Sequence, residues 1–337
     1  MMLHEDRYAF LAILNQIHDA SGVRLDILEK DYYVSLFLRE LAEKQKSLPA
    51  YFKGGTALYK AQKSIRRFSE DIDLTVSIEN CSNSQAKKRL EMATKKYTSL
   101  PRTTDTGMEE DRKGSITTVY DYEPAVPVDE VDPLQRFRHV KVEATSFAVS
   151  EPFTELEVEP VLYTFANEGQ RKIMRENYGL TPFKIQTIKL ERIFADKTLA
   201  AEFYYDRELY FDVAKHVYDV SIMLDLPSIR ALLEDPEELL RMIGYKRLEE
   251  TRRIGSDLAD KPFRDYKIFD GLAANVSFEA EFQKMQRNYV FNDEDVLSKD
   301  YVIQQWRSYR TFYISWKNKK RGGTAAYDKH RASVFYP

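Results

Sequence analysis

Cysteine is nearly missing from this chain. Cys81 is the single one in 337 residues, which excludes an intrachain disulfide framework and a cysteine-rich zinc site. The five histidines are scattered, with no HExxH and no paired spacing, so the usual signature of histidine-held zinc is also missing. No apolar run reaches membrane-spanning length. The first residues, MMLHEDRYAF, bring acids early and hold no long apolar stretch, so they do not read as a signal peptide. Nor does one sign of charge dominate. The 51 Lys and Arg residues against 54 Asp and Glu give a formal net charge of −3. The whole molecule is therefore not a basic nucleic-acid binder, although local patches stay open. These absences predict a soluble, cytoplasmic protein with no membrane partner. The length suits one large or two modest domains. The 22 Tyr and 19 Phe fit a large core or stacking surfaces, and composition does not separate the two.

Apolar residues recur at helical spacing over residues 4–20, and Gly22 ends that helix. A second helix is predicted over 25–45. It carries Glu29-Lys30-Asp31-Tyr32-Tyr33, which also reads as a solvated polar turn on an amphipathic surface. Pro49 excludes its continuation. Residues 84–98 form a basic helix (Lys87, Lys88, Arg89, Lys95, Lys96), either a solvated face or a contact for the phosphates of a long substrate. The pattern then turns extended. Residues 115–122 and 139–147 alternate and are rich in β-branched and aromatic types. In the second run Val140, Val142 and Ala144 face one way, and Lys141, Glu143 and Thr145 the other. Residues 124–136 read as a loop. A short strand at Leu156 and Val158 is followed by a short helix. Residues 186–224 are predicted helical with a break near Asp206-Arg207, and 227–320 helical with charged faces. The end, from Lys317 to Arg331, reads as a flexible basic tail, either solubilising or RNA-contacting.

The most informative stretch is YFKGGTALYKAQKSIRRFSEDIDLTVS, residues 51–77. Gly54-Gly55 lets backbone N–H groups approach a phosphate with no Cβ in the way. Thr56 suits the N-cap of a helix running to Lys63, which would aim a helix N-terminus at that phosphate. About fifteen residues on, Asp71 and Asp73 stand two apart in a strand, so both carboxylates share a face. Such a pair repels unless a cation sits between its members. Mg²⁺, a hard ion that takes oxygen ligands and shares them with substrate phosphates, fits. Metal-dependent nucleotidyl transfer also needs a third carboxylate. Glu143 in KVEAT is the first candidate, and Glu157 and Glu159 are the runners-up. Lys197 offers positive charge to a phosphate. Asp219 on the following helix suits a hydrogen bond to that lysine or to the nucleotide. Ser69 shares the strand face of Asp71. It could accept a self-modification, or simply bond its own backbone.

These residues carry a resemblance. FKGGTALYK…RRFSEDIDLTV resembles the first motif of the nucleotidyltransferase superfamily, and in particular the AbiEii-type toxins of type IV toxin–antitoxin systems. LEKDYYVSLFLREL at 28–41, KVEAT at 141–145, LERIFADKTLA at 190–200 and KHVYDVSIML at 215–224 resemble further motifs of that branch. Where the branch often has Arg-Asp, this chain has Lys215-His216. The likeness spans about residues 25–225, and nothing after 225 is matched.

The resemblance implies an α+β fold: a mixed sheet flanked by helices over 1–185, then a helical region over 186–337. It implies Mg²⁺ on Asp71, Asp73 and Glu143. It implies NTP phosphates on Gly54, Gly55 and Thr56, with charge neutralised by Lys197 and support from Asp219. Lys30 and Asp31 would line the cleft. The expected reaction is transfer of a nucleotide to an RNA acceptor, the 3′-end of a tRNA, with release of pyrophosphate. The cognate antitoxin would act without an obligate complex. Two alternatives stand beside it: a nucleotidyltransferase modifying a protein or small molecule, and a non-catalytic binding module on the same fold.

Overall fold

The computed structural model describes residues 1–128, 137–254, 261–262 and 265–321. Two helices open the chain. Helix α1 (Arg7–Ser21) is capped by the Asp6 side chain, which accepts from the Ala9 N–H at 3.1 Å, and it ends at Gly22 in the left-handed region. Helix α2 (Leu25–Lys44) is buried nearly all round from Asp26 to Leu38. The Glu29–Tyr33 turn is therefore not a solvated face. Glu29 accepts from the Ala125 N–H at 2.7 Å, and the Lys30 ammonium donates to the His139 carbonyl.

A seven-stranded sheet follows, in the order β3-β4-β5-β2-β1-β7-β6. Its strands are β1 (Ala50–Lys53), β2 (Ile72–Val76), β3 (Glu110–Arg112), β4 (Ser115–Asp121), β5 (His139–Thr145), β6 (Phe153–Val158) and β7 (Phe183–Ile188). Strand β2 pairs parallel with β5 and antiparallel with β1, and β7 runs parallel to β1. Helix α3 (Gly54–Lys60) joins β1 towards β2, and α4 (Asn83–Thr94) follows β2. Beyond β6 come α5 (Val161–Phe165) and α6 (Glu168–Tyr178).

Register decides what each sheet face does. Val140 lies opposite Tyr120, so both point the same way. The Tyr120 hydroxyl donates to the Thr94 carbonyl of α4 at 2.6 Å, and its ring meets Phe37 of α2 at 4.9 Å. The face of Val140, Val142 and Ala144 is thus the core face, covered by α2 and α4. Ile72 pairs with Val142, Leu74 with Ala144 and Phe52 with Leu74, which extends that apolar layer across the sheet. Lys141, Glu143 and Thr145 take the other face.

The remaining helices are α7 (Leu190–Tyr205), α8 (Tyr210–Met223), α9 (Pro227–Glu234), α10 (Pro236–Ile254), α11 (Ile268–Gly271), α12 (Val276–Tyr289) and α13 (Lys299–Arg321). The break expected near Asp206 falls between α7 and α8. Three expectations need correction. Residues 186–188 end strand β7, so a boundary at 185 cuts through the sheet; FKIQTI alternates, but it is short and runs into a long helical pattern. The basic helix ends at Thr94, not at 98. Lys317 to Arg321 continue α13 as helix. The rest of the expected basic tail, and positions 129–136 of the expected loop, lie outside the described residues.

Lys30 and Asp31 do not line a cleft. Both are buried within α2. Asp31 receives the Lys60 ammonium at 2.5 Å and the Val161 N–H at 2.7 Å, so one carboxylate ties α2 to α3 and to the start of α5. A buried charge stripped of its partner is expensive. Asp31→Leu should therefore destabilise the protein by about 3–5 kcal/mol, and adding Lys60→Met should recover most of that loss. Urea unfolding of the two variants checks this, and equal losses in both would contradict it.

Candidate active site

The glycine pair sits where β1 turns into α3. Gly54 has φ 78°, and a Cβ there would lie 2.1 Å from Asp73 Oδ2. At Gly55 a Cβ would lie 2.7 Å from Ser69 Oγ and 3.1 Å from an Arg67 guanidinium nitrogen. Glycine is required at 54 by conformation and at both positions by contact. The pair lets the start of α3 close onto Asp73, Ser69 and Arg67.

Thr56 is not the N-cap. The helix begins two residues earlier, with Lys53 at the cap in extended conformation. The Thr56 side chain is buried, and its hydroxyl donates to the Asp71 carbonyl at 2.5 Å and pairs with the Ser69 hydroxyl at 3.0 Å. It pins the residues that enter β2. Ser69 thus stands beside Gly55 and Thr56, bonded to a neighbouring side chain.

The carboxylates follow from strand register. Asp73 lies directly opposite Glu143 on one side and Lys53 on the other. A row Lys53–Asp73–Glu143 therefore crosses three strands on the face away from α2 and α4. Asp71 enters this row just before β2 begins. Burial and the adjacent Glu143 carboxylate push Asp73 up to about 7. Lys141, two residues before Glu143, reaches into the same space. Its ammonium lies 2.8 Å from Glu143 Oε1 and 3.6 Å from Asp71 Oδ2. Burial works against the Lys141 charge, but Asp71 and Glu143 raise its pKa nonetheless. Among the described residues, no three His, Cys, Asp or Glu side chains have already converged into a metal cage. The donor set still suits a hard divalent cation, since it is made of carboxylate oxygens alone. Glu157 lies elsewhere, opposite Lys184 on the edge strand β6, with β7 and β1 between it and β2. Glu159 follows β6 and accepts from the Thr164 hydroxyl at 2.9 Å.

The facing wall is helical. Lys197 on α7 donates to Asp219 on α8 at 2.9 Å. Asp219 also takes both arms of Arg67, each at 2.7 Å. Burial alone would raise the Asp219 pKa, but Arg67 and Lys197 hold it down at about 2. Lys197 is close enough for its charge to act on Asp73. Beside Asp219, the His216 ring stacks on Tyr204 with centroids 5.3 Å apart. Glu249 of α10 lies in the field of Lys53, and binds Lys246 at 3.0 Å and Arg192 at 3.4 Å.

Asp71, Asp73, Glu143, Lys197, Asp219 and the two glycines are thus brought near one another. Sequence reasoning missed Arg67, Lys53, Lys141 and Glu249. The first three sit inside or beside quoted motifs and could have been found by asking which cation answers each acid. Glu249 had no local signal.

The AbiEii family profile, described as a nucleotidyl transferase AbiEii toxin of a type IV TA system, matches residues 36–312. The chain belongs to the AbiEii nucleotidyltransferase toxin family. It is accordingly a nucleotidyltransferase and a toxin of the type IV toxin–antitoxin class, which implies an NTP substrate and an antitoxin. The match begins inside α2, after the buried Glu29–Tyr33 turn, and runs well beyond residue 225 through most of the helical region. The AbiEii assignment thus covers α10 and its Glu249, every motif from the glycine pair onward, and the last part of the 28–41 motif. Comparison with curated proteins finds no match. One similar solved structure is MenT4, a nucleotidyltransferase toxin from Mycobacterium tuberculosis H37Rv. It is 14% identical, with a TM-score of 0.54 over 95% of each chain, and at that identity it supports the fold alone. No described helix is long and apolar enough to cross a membrane.

Two outcomes follow from this geometry. Asp219→Asn removes the counter-charge of two buried cations and should cost about 3–5 kcal/mol. Because Asp219 is depressed to about 2, its contribution to stability is present above the ordinary aspartate pKa and is lost as pH falls towards 2. That part of the acid-unfolding profile should vanish in Asp219→Asn, as read by circular dichroism against pH. Gly54→Ala drives a methyl onto Asp73 and strains the backbone. It should cost about 1–3 kcal/mol in thermal unfolding and lower activity far more than that loss of stability accounts for.

Proposed function

We propose that this AbiEii protein is an Mg²⁺-dependent nucleotidyltransferase that moves a nucleotide from an NTP to an RNA acceptor, the 3′-end of a tRNA. The observation carrying this reading is the Lys53–Asp73–Glu143 row facing Lys197 across the cleft. Asp71, Asp73 and Glu143 hold the metal, which when bound neutralises phosphate charge and helps activate the acceptor hydroxyl. Gly54 and Gly55 let the nucleotide phosphates approach the backbone. Lys197, aimed by Asp219, offsets the triphosphate charge. Arg67 holds Asp219 from the side of the sheet, so the lysine and the carboxylates keep a constant separation.

A surface other than the basic helix suits the acceptor better. Helix α4 lies on the core face of the sheet, away from the carboxylates. Its Lys95 is paired with Asp111 at 2.8 Å and its Arg89 with the Ser77 carbonyl at 2.7 Å. A better surface borders the cleft. The ammonium groups of Lys215 and Lys284 lie 4.9 and 5.3 Å from the Phe211 ring, and Lys215 lies 5.4 Å from the Tyr289 ring. Lys215 also feels the charge of Asp71. The partly exposed Phe211 ring with its adjacent cations suits a base and the phosphates of a single strand, and the buried Tyr289 supports it. The sheet and its helices through Ile188 form the catalytic core in this reading, and the helices from Leu190 form the lid-like second domain. The protein works in the cytoplasm, and its antitoxin acts without an obligate complex.

Incubation of the purified protein with each labelled NTP, Mg²⁺ and total RNA should move label into tRNA. Asp71→Ala and Glu143→Ala should each lower that transfer by about 10²-fold or more. Label entering only protein or small molecules would overturn the choice of acceptor, and full transfer by Asp71→Ala would overturn the site.

A further inference from the structure

Three acidic side chains crowd the cleft floor, and something must answer their charge before substrate arrives. Lys53 stands on the far side of Asp73. Between Asp71 and Glu143 the answering group is Lys141, at 3.6 and 2.8 Å. It comes from the same strand as Glu143 and shares its face, since side chains two apart on a strand point the same way. Its position there is therefore built into the chain: wherever β5 places Glu143, it places Lys141 alongside. The Lys141 side chain is 28% exposed and the Glu143 side chain 36% exposed, so the pair is reachable from solvent and can be parted. Among the described residues no group of three His, Cys, Asp or Glu side chains is placed to hold a metal ion. The Lys141 ammonium binds Glu143 at 2.8 Å and lies within ion-pair range of Asp71 at 3.6 Å, so both carboxylates face a nitrogen.

We infer that Lys141 is a resident cation that occupies the space between Asp71 and Glu143 and is displaced when the divalent metal binds. The inference rests on the metal-site reading above. Its consequence is a raised threshold for metal. A bare ion must expel an ammonium already supplied by the chain, whereas the nucleotide-bound ion brings phosphate oxygens that can receive the displaced lysine. Without metal, Lys141 would keep hold of Glu143 and Asp71, and the two carboxylates would turn to an ion only when metal and nucleotide arrive together.

The test uses Mn²⁺ as probe and the full chain. Mn²⁺ binding is followed by electron paramagnetic resonance for the wild type and for Lys141→Met and Lys141→Gln, with Asp71→Asn as the site control. Either Lys141 variant should bind Mn²⁺ about tenfold or more tighter than the wild type, since a competing unit charge is gone. In the wild type, Mn²⁺ with nucleotide should alter the rate at which Lys141 is acetylated by a small reagent, read by mass spectrometry; this needs no variant to fold. Mn²⁺ affinity that is unchanged or weaker in both variants, with Asp71-dependent binding intact, overturns the resident-cation inference and leaves the metal site standing. An unchanged Lys141 acetylation rate does the same. Binding that never depends on Asp71 overturns the metal-site reading and the inference together.

Discussion

Everything in the cleft depends on one buried carboxylate. Asp219 takes two hydrogen bonds from Arg67 and one from Lys197. Arg67 belongs to the segment that enters β2, Lys197 to α7 and Asp219 to α8, so three distant parts of the chain meet at one charge. A buried carboxylate with fewer partners would protonate or destabilise the fold. With two cations it stays ionised and becomes rigid. That rigidity sets where the lysine stands relative to Asp71 and Asp73. The geometry of the proposed site is therefore anchored by the Arg67–Asp219 ion pair.

The sheet supplies the opposite logic. Its core face is apolar and closed by α2 and α4, and it imposes the register. Once Ile72 meets Val142 and Leu74 meets Ala144, Asp73 must meet Glu143. A slip by one residue would bury the acids and expose the apolar row, at a cost far above any single contact. Hydrophobic pairing thus forces two like charges together. Burial and the resulting repulsion together raise Asp73 to about 7. Lys53 and Lys141 reduce the repulsion without removing it. This is stored electrostatic strain of a kind expected at sites that await a cation.

Much of this was legible from residue patterns. The alternation around Glu143 gave the correct faces of β5, and two aspartates two apart gave the correct acidic pair. Gly22 and the break before α8 were readable from local chemistry. Other inferences failed for physical reasons. Lys30 and Asp31 looked like groups for a cleft because charge on a helix usually faces water. The fold instead buries that turn and satisfies each charge, Asp31 with Lys60 and Lys30 with the His139 carbonyl. Thr56 looked like a cap because hydroxyls favour caps, yet its partner is the Asp71 carbonyl. The basic helix was open to two readings, a solvated face or an RNA contact, and the topology sets it on the core face of the sheet, away from the carboxylates.

The amino-acid sequence by itself determined the chemical kind of site: a glycine turn, two strand aspartates and a third acid on an alternating strand. Those are local patterns, and periodicity and backbone freedom suffice to read them. Only the tertiary structure decided which cation answers which acid. Arg67 and Asp219 are 152 residues apart, and Lys53 and Glu249 are separated by nearly two hundred residues. Pairing at that range follows from packing and burial, because a charge out of water must find whatever partner the fold brings to it.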